Sequence, residues 1–186
     1  MRLRNRGEDP NQGSISISDH LQSFKHKQKS ITRVSISAST TKDGRASYEI
    51  PNVGRFSGHV KDYLAEGFGV LETKAGVTYK GQWHENKANG KGRLADLNRD
   101  SYYEGQFTDG ARDGHGVKRW QNGDEYTGHW KEGKMDGAGA MSFANGEYYK
   151  GDWKDGYREG KGVFQWVNGN VYEGEFKKNM PDGNGK

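Results

Sequence analysis

The stretch YTGHWKEGKMDGAGAMSFANGEY (126–148) decides the fold. Tyr126, Gly128 and Trp130 stand at i, i+2 and i+4, so they share one face of an extended strand. A turn-rich connection, KEGKMDG (131–137), follows. A second strand then runs through Gly137-Ala-Gly139 to Asn145-Gly146. Asn-Gly is a strong hairpin signal, because a type I′ turn needs positive φ at both central residues. The unit therefore reads as one β-hairpin. Glycine between two aromatic residues of a strand marks close approach by another group. The expectation is a slot that a large ring from a neighbour enters.

The same pattern recurs on both sides. FSGHV (56–60), YKGQW (79–83), YEGQF (103–107), YTGHW (126–130), YKGDW (149–153) and YEGEF (172–176) start 23, 24, 23, 23 and 23 residues apart. Each precedes a Gly-x-Gly: Gly67/Gly69, Gly90/Gly92, Gly114/Gly116, Gly137/Gly139, Gly160/Gly162 and Gly183/Gly185. A fixed period of this length is the signature of a repeat architecture. Phe56 and Val60 replace the aromatic pair in the first unit, and the last unit stops soon after its Gly-x-Gly. ASYEIP (46–51) supplies one further strand ahead of the first unit.

The pattern Y-x-G-x-W … G-x-G at this spacing resembles the MORN repeat (membrane occupation and recognition nexus) over residues 56–185. The resemblance implies an all-β fold: an elongated, single twisted antiparallel sheet of consecutive hairpins. At about 10 Å per two strands, six repeats span on the order of 55–60 Å. Each hairpin of such an array leans on its neighbours.

The chain divides near residue 45. Residues 1–50 carry 9 Lys+Arg against 5 Asp+Glu, and residues 51–186 carry 20 of each. Of the 29 glycines 26, and of the 22 aromatic residues 20, follow residue 50. Residues 1–45 thus read as a basic, Ser/Thr-rich segment, extended or disordered, and 46–186 as the repeat array. Lys25, Lys27, Lys29 and Arg33 of the basic segment would contact an acidic surface, such as a tubulin-like protein or anionic lipid. Nucleic acid is not expected, since the segment has few aromatic residues for stacking.

Chemistry finds little to work with. There are 0 cysteines, so a thiol nucleophile and a Cys-based zinc site are excluded. No Gly-Lys-Ser/Thr phosphate loop occurs. His59 and His129 repeat at one position three units apart, too far to share a metal. Asp113, Asp136, Glu159 and Asp182 recur before a Gly, which reads as turn chemistry rather than paired acid/base catalysis. No enzyme activity, cofactor or metal is expected.

The aromatic residues carry the rest. Tyr79/Trp83, Tyr103/Phe107, Tyr126/Trp130, Tyr149/Trp153 and Tyr172/Phe176 read as a structural ladder between repeats. Counting two and four residues past the second Gly gives a stripe of Trp120, Met141, Phe143, Phe164 and Trp166, a candidate groove for a partner. The expected function is a non-catalytic architectural scaffold, resembling those of cytoskeletal and ciliary (axonemal) assemblies. Two alternatives are a membrane-associated adaptor that docks to anionic lipid through residues 1–45, and a regulatory fragment of a larger enzyme. The expected partners are proteins of a larger assembly, with a homodimer through the C-terminal end as a further option. The expected location is intracellular: cytoplasm, cytoskeleton, and the cilium or flagellum axoneme.

Overall fold

The computed structural model describes residues 44–183 and 185–186. Residues 1–43 of the basic segment, with Lys25, Lys27, Lys29 and Arg33, lie outside the described residues, and its last two residues open the first strand. No helix occurs among the described residues, as the 23-residue pattern requires. Instead there are thirteen strands: β1 Gly44–Ile50, β2 Gly54–Lys61, β3 Leu64–Thr73, β4 Val77–His84, β5 Lys87–Asp96, β6 Ser101–Thr108, β7 Ala111–Arg119, β8 Glu125–Lys131, β9 Lys134–Ser142, β10 Tyr148–Lys154, β11 Tyr157–Gln165, β12 Val171–Lys177 and β13 Met180–Asp182. Strand order follows chain order, and the pairing is antiparallel. The described residues form two compact units, 44–112 and 113–186.

The hairpin turns differ from expectation. The two-residue turns with both φ positive lie in the middle of the presumed connections. They are Asp62-Tyr63, Glu85-Asn86, Asp109-Gly110, Glu132-Gly133, Asp155-Gly156 and Lys178-Asn179. β8 and β9 thus run right up to Glu132-Gly133, with Lys131 opposite Lys134. At Asn122-Gly123 only the glycine is left-handed, with φ 91°. There the Gly123 N–H donates to the Trp120 carbonyl (2.9 Å), and Asn122 Oδ1 accepts the Asp124 N–H (3.0 Å). This three-residue loop suits a type I turn closed by a left-handed glycine. It recurs at 143–147 and 166–170.

Tyr63 is the odd member of the tight turns. It holds φ 63° while 83% exposed, at a position that is glycine in three of the six turns. A left-handed residue with a Cβ is strained by about 1–2 kcal/mol. Tyr63→Gly should therefore raise stability by about 1 kcal/mol, read as a rightward shift of the urea midpoint. An unchanged or lower midpoint would refute that account.

Four carboxylates that precede a left-handed glycine tie one hairpin to the next rather than forming turns themselves. Glu66 accepts the Glu85 N–H (3.2 Å), Asp113 the Glu132 N–H (3.2 Å), Asp136 the Asp155 N–H (3.4 Å) and Glu159 the Lys178 N–H (3.0 Å). Burial by itself would raise the Asp136 carboxyl. The hydrogen bonds from Lys154 Nζ and the Asp155 N–H outweigh it and hold the group below the ordinary carboxylate range. Peptide N–H groups at a turn need acceptors, and the repeat supplies them at a spacing of 19 residues.

Candidate functional site: the aromatic face

The central strand glycines pair across the sheet. In the second unit Gly116 faces Gly128, Gly128 faces Gly139, Gly139 faces Gly151, and Gly151 faces Gly162, which faces Gly174. The first unit repeats this through Gly58, Gly69, Gly81, Gly92 and Gly105. The result is a trough with no side chains. It is filled by the first ring of the same hairpin, which covers the glycine of its own strand and the facing glycine of the next strand. A Cβ on Gly139 would meet the Tyr126 hydroxyl and ring, and so would one on Gly128. The Tyr126 ring lies over its own strand two residues on. Its hydroxyl donates to the His129 carbonyl at 3.0 Å. Tyr79, Tyr103, Tyr149 and Tyr172 do the same to Gln82, Gln106, Asp152 and Glu175. In β4, β8 and β10 that acceptor sits where the pairing with the next strand breaks, between Gly81 and Trp83, Gly128 and Trp130, and Gly151 and Trp153. The bulge leaves a residue out of register, and the phenol hydroxyl satisfies its carbonyl. That accounts for tyrosine here rather than phenylalanine.

The rings meet edge to face. Tyr126 contacts Trp130 of its own strand and Trp153 of the next repeat, both at 5.2 Å between centroids. Tyr149 likewise contacts Trp153 (5.2 Å) and Phe176 (5.0 Å). In the first unit Tyr79 contacts Trp83 (5.0 Å) and Phe107 (5.1 Å), and Tyr103 contacts Phe107 (5.1 Å). Such pairs contribute about 0.5–1.5 kcal/mol each beyond their buried area. Tyr79, Trp83, Tyr103, Phe107, Tyr126, Trp130, Tyr149, Trp153 and Phe176 are all buried, and Tyr172 is half-buried. Trp130 and Trp153 donate their indole N–H to the carbonyls of Gly116 (3.2 Å) and Gly139 (3.3 Å). Burial pushes the Tyr149 hydroxyl up to about 12, against a lowering by Arg158.

The stripe divides on this face. Met141 (3% exposed) and Phe164 (5% exposed) pair with Tyr126 and Tyr149 and belong to the buried ladder. Trp120, Phe143 and Trp166 are half-buried, each opening one of the three-residue loops. They stand at the ends of alternate strands, β7, β9 and β11, hence about 10 Å apart. Phe164 packs on Trp166 (5.0 Å) and on Phe143 (6.2 Å). Phe143 and Trp166 thus rest on the buried Phe164 ring.

Two features escaped the sequence reading. Arg158 occupies a ladder position, with its guanidinium carbon 4.8 Å from the Phe164 ring centre, 5.6 Å from that of Tyr149 and 5.8 Å from that of Phe176. Burial lowers its pKa, partly offset by Tyr149 and Glu147. On the opposite face His115 stands directly across from His129, rings perpendicular at 5.6 Å. The two are 14 residues apart in sequence, and only strand pairing brings them together. No cluster of three metal-ligating side chains occurs among the described residues.

Comparison with known proteins agrees with this geometry. No curated protein matches the chain. Among solved structures, the TCP domain of SAS-4 (dCPAP) of Drosophila melanogaster, in complex with a proline-rich motif of Ana2 (dSTIL), is 13% identical. The match covers 77% of this chain and 90% of that one, with a TM-score of 0.41. At that score the likeness carries no argument about function. The MORN repeat family matches residues 79–96, 103–125, 126–148, 149–171 and 172–186, more than half of the chain. The unit at β2–β3 lies ahead of these matches yet has the same construction, with Phe56 lying over Gly58 and Gly69. The glycine trough, the ring ladder and the five matched repeats place the chain in the MORN-repeat family.

Proposed function

We propose that this chain is a non-catalytic scaffold that docks protein partners on the aromatic face of residues 113–186. The observation that carries this reading is the row of Trp120, Phe143 and Trp166. Three large rings are left partly accessible on a face whose other rings, Tyr172 apart, are buried. Aromatic anchors of this kind dominate binding at protein interfaces. The recurring acids support the absence of catalysis, since Asp113, Asp136 and Glu159 each accept a turn N–H. Within this reading, the chain serves as a structural subunit of a cytoskeletal or ciliary assembly, located at the axoneme. The basic segment 1–45 supplies an auxiliary attachment to an acidic surface through Lys25, Lys27, Lys29 and Arg33. Self-association through the C-terminal end is a further part of the proposal. The short last unit leads the sequence reading to expect an unpaired edge on its first strand; instead β13 pairs with β12, and Lys186 exchanges two backbone hydrogen bonds with Glu173, both at 3.0 Å.

The test runs co-purification with axonemes beside flotation on phosphatidylserine vesicles, for the full chain and for Phe143→Ser/Trp166→Ser. The proposal expects axonemal retention that the double substitution reduces about tenfold or more, roughly 1.4 kcal/mol. Retention on vesicles alone, unaffected by the double substitution, would favour the membrane adaptor instead. Ultracentrifugation of the same samples tests self-association, and a monomer throughout would remove that part.

A further inference from the structure

We infer that Arg158 receives a carboxylate of the docked partner, an Asp or Glu flanked by apolar residues. This rests on the reading of the aromatic face as a docking surface.

The repeat supplies its own control. The position of Arg158, two residues before the first glycine of Gly-x-Gly, is Ala65, Ala88, Arg112, Met135 and Pro181 in the other units. Ala65, Ala88 and Met135 are 0–1% exposed, so a small or apolar residue meets the packing requirement. An arginine there, as at Arg158 and Arg112, gives up hydration that an apolar residue does not; ring stacking offsets part of that cost, and burial disfavours a charged group that lacks an ionic partner.

Among the described residues no carboxylate pairs with Arg158. A guanidinium has five N–H donors. Arg158 Nη2 donates to the Asn179 carbonyl at 2.8 Å, and no ion pair involves Arg158 among the described residues. Glu147 is the acid whose charge is felt at Arg158. Its carboxylate is engaged instead by Asn145 Nδ2 at 3.0 Å. Stacking on rings leaves the edge of a guanidinium open for in-plane, two-point pairing with a carboxylate. Charge-assisted bonds of that kind are about twice as strong as neutral ones. Phe143 and Trp166 flank Phe164, the nearest ring to the guanidinium, so apolar neighbours of the acid have rings to rest on.

The probe is a display library of random dodecapeptides panned against the full chain, with calorimetry on the best synthetic peptide. Enriched peptides should share an Asp or Glu within two residues of a large apolar residue. Changing that acid to its amide should weaken binding about tenfold. Arg158→Met should weaken the acidic peptide equally, while the amide peptide should bind both proteins alike. Met135 shows that the repeat accepts methionine, and a thermal melt verifies that the variant folds. If binding is lost with Phe143→Ser/Trp166→Ser but ignores both the amide change and Arg158→Met, the carboxylate site is wrong and the docking surface stands. If no peptide is enriched, or none depends on Phe143 and Trp166, both fall together.

Discussion

Gly128→Val abolishes cooperative folding of residues 113–186, or lowers their stability by at least about 3 kcal/mol in urea denaturation. The φ of Gly128 is not in the left-handed region, so the effect is purely steric. The first added carbon would meet the Tyr126 hydroxyl and lie 2.5 Å from the Gly139 Cα. Gly139 is backbone and cannot swing aside, so Tyr126 must leave. Its departure opens the edge-to-face contacts with Trp130 and Trp153 and the hydrogen bond to His129. Overpacking costs about 1–3 kcal/mol, and losing a buried aromatic about 3–5 kcal/mol. His129→Val, one residue on and exposed, should change stability by no more than about 0.5 kcal/mol. Equal losses at the two positions would mean that the trough is not filled by Tyr126.

Phe164→Glu should cost about 3–5 kcal/mol, while Trp166→Glu, two residues along the same strand, should cost about 1–2 kcal/mol. Phe164 lies opposite Tyr149 and Tyr172 on its two neighbouring strands, at 5% exposure. It also packs under Arg158 and beside Phe143 and Trp166. A carboxylate there loses both packing and hydration, and pairing with Arg158 offsets only part of that. Trp166 opens a loop and keeps access to solvent. The contrast is read from chemical denaturation of the two single variants. If both unfold alike, Trp166 is part of the floor and cannot be an accessible anchor.

The period, the strands and the shared face of the first-strand rings were legible in the sequence, because they depend on local periodicity. A side chain's face follows from parity within a strand, and a 23-residue register needs no long-range information. The family resemblance rested on the same residues, and five matched repeats show it. Turn assignment failed because Asn-Gly serves two turn types. The choice between them is set by how far the flanking strands pair, and β7 and β8 pair only as far as Arg119 and Glu125, leaving a longer loop around Asn122-Gly123. The glycine slot was legible as a slot, but not its occupant. Which ring enters depends on the bulge that frees the carbonyl of His129, a property of two strands together.

The sequence by itself determined an all-β array of hairpin repeats and the absence of cysteine chemistry. Tertiary structure alone decided which members of the stripe are accessible. Trp120, Phe143 and Trp166 share a face with Met141 and Phe164 by parity, yet only the latter two are covered by the ladder. It also placed Arg158 over Phe164 and His115 beside His129. The physical reason is common to these cases. Parity says which side of the sheet a residue occupies. Burial and pairing depend on what the neighbouring strands bring to that side.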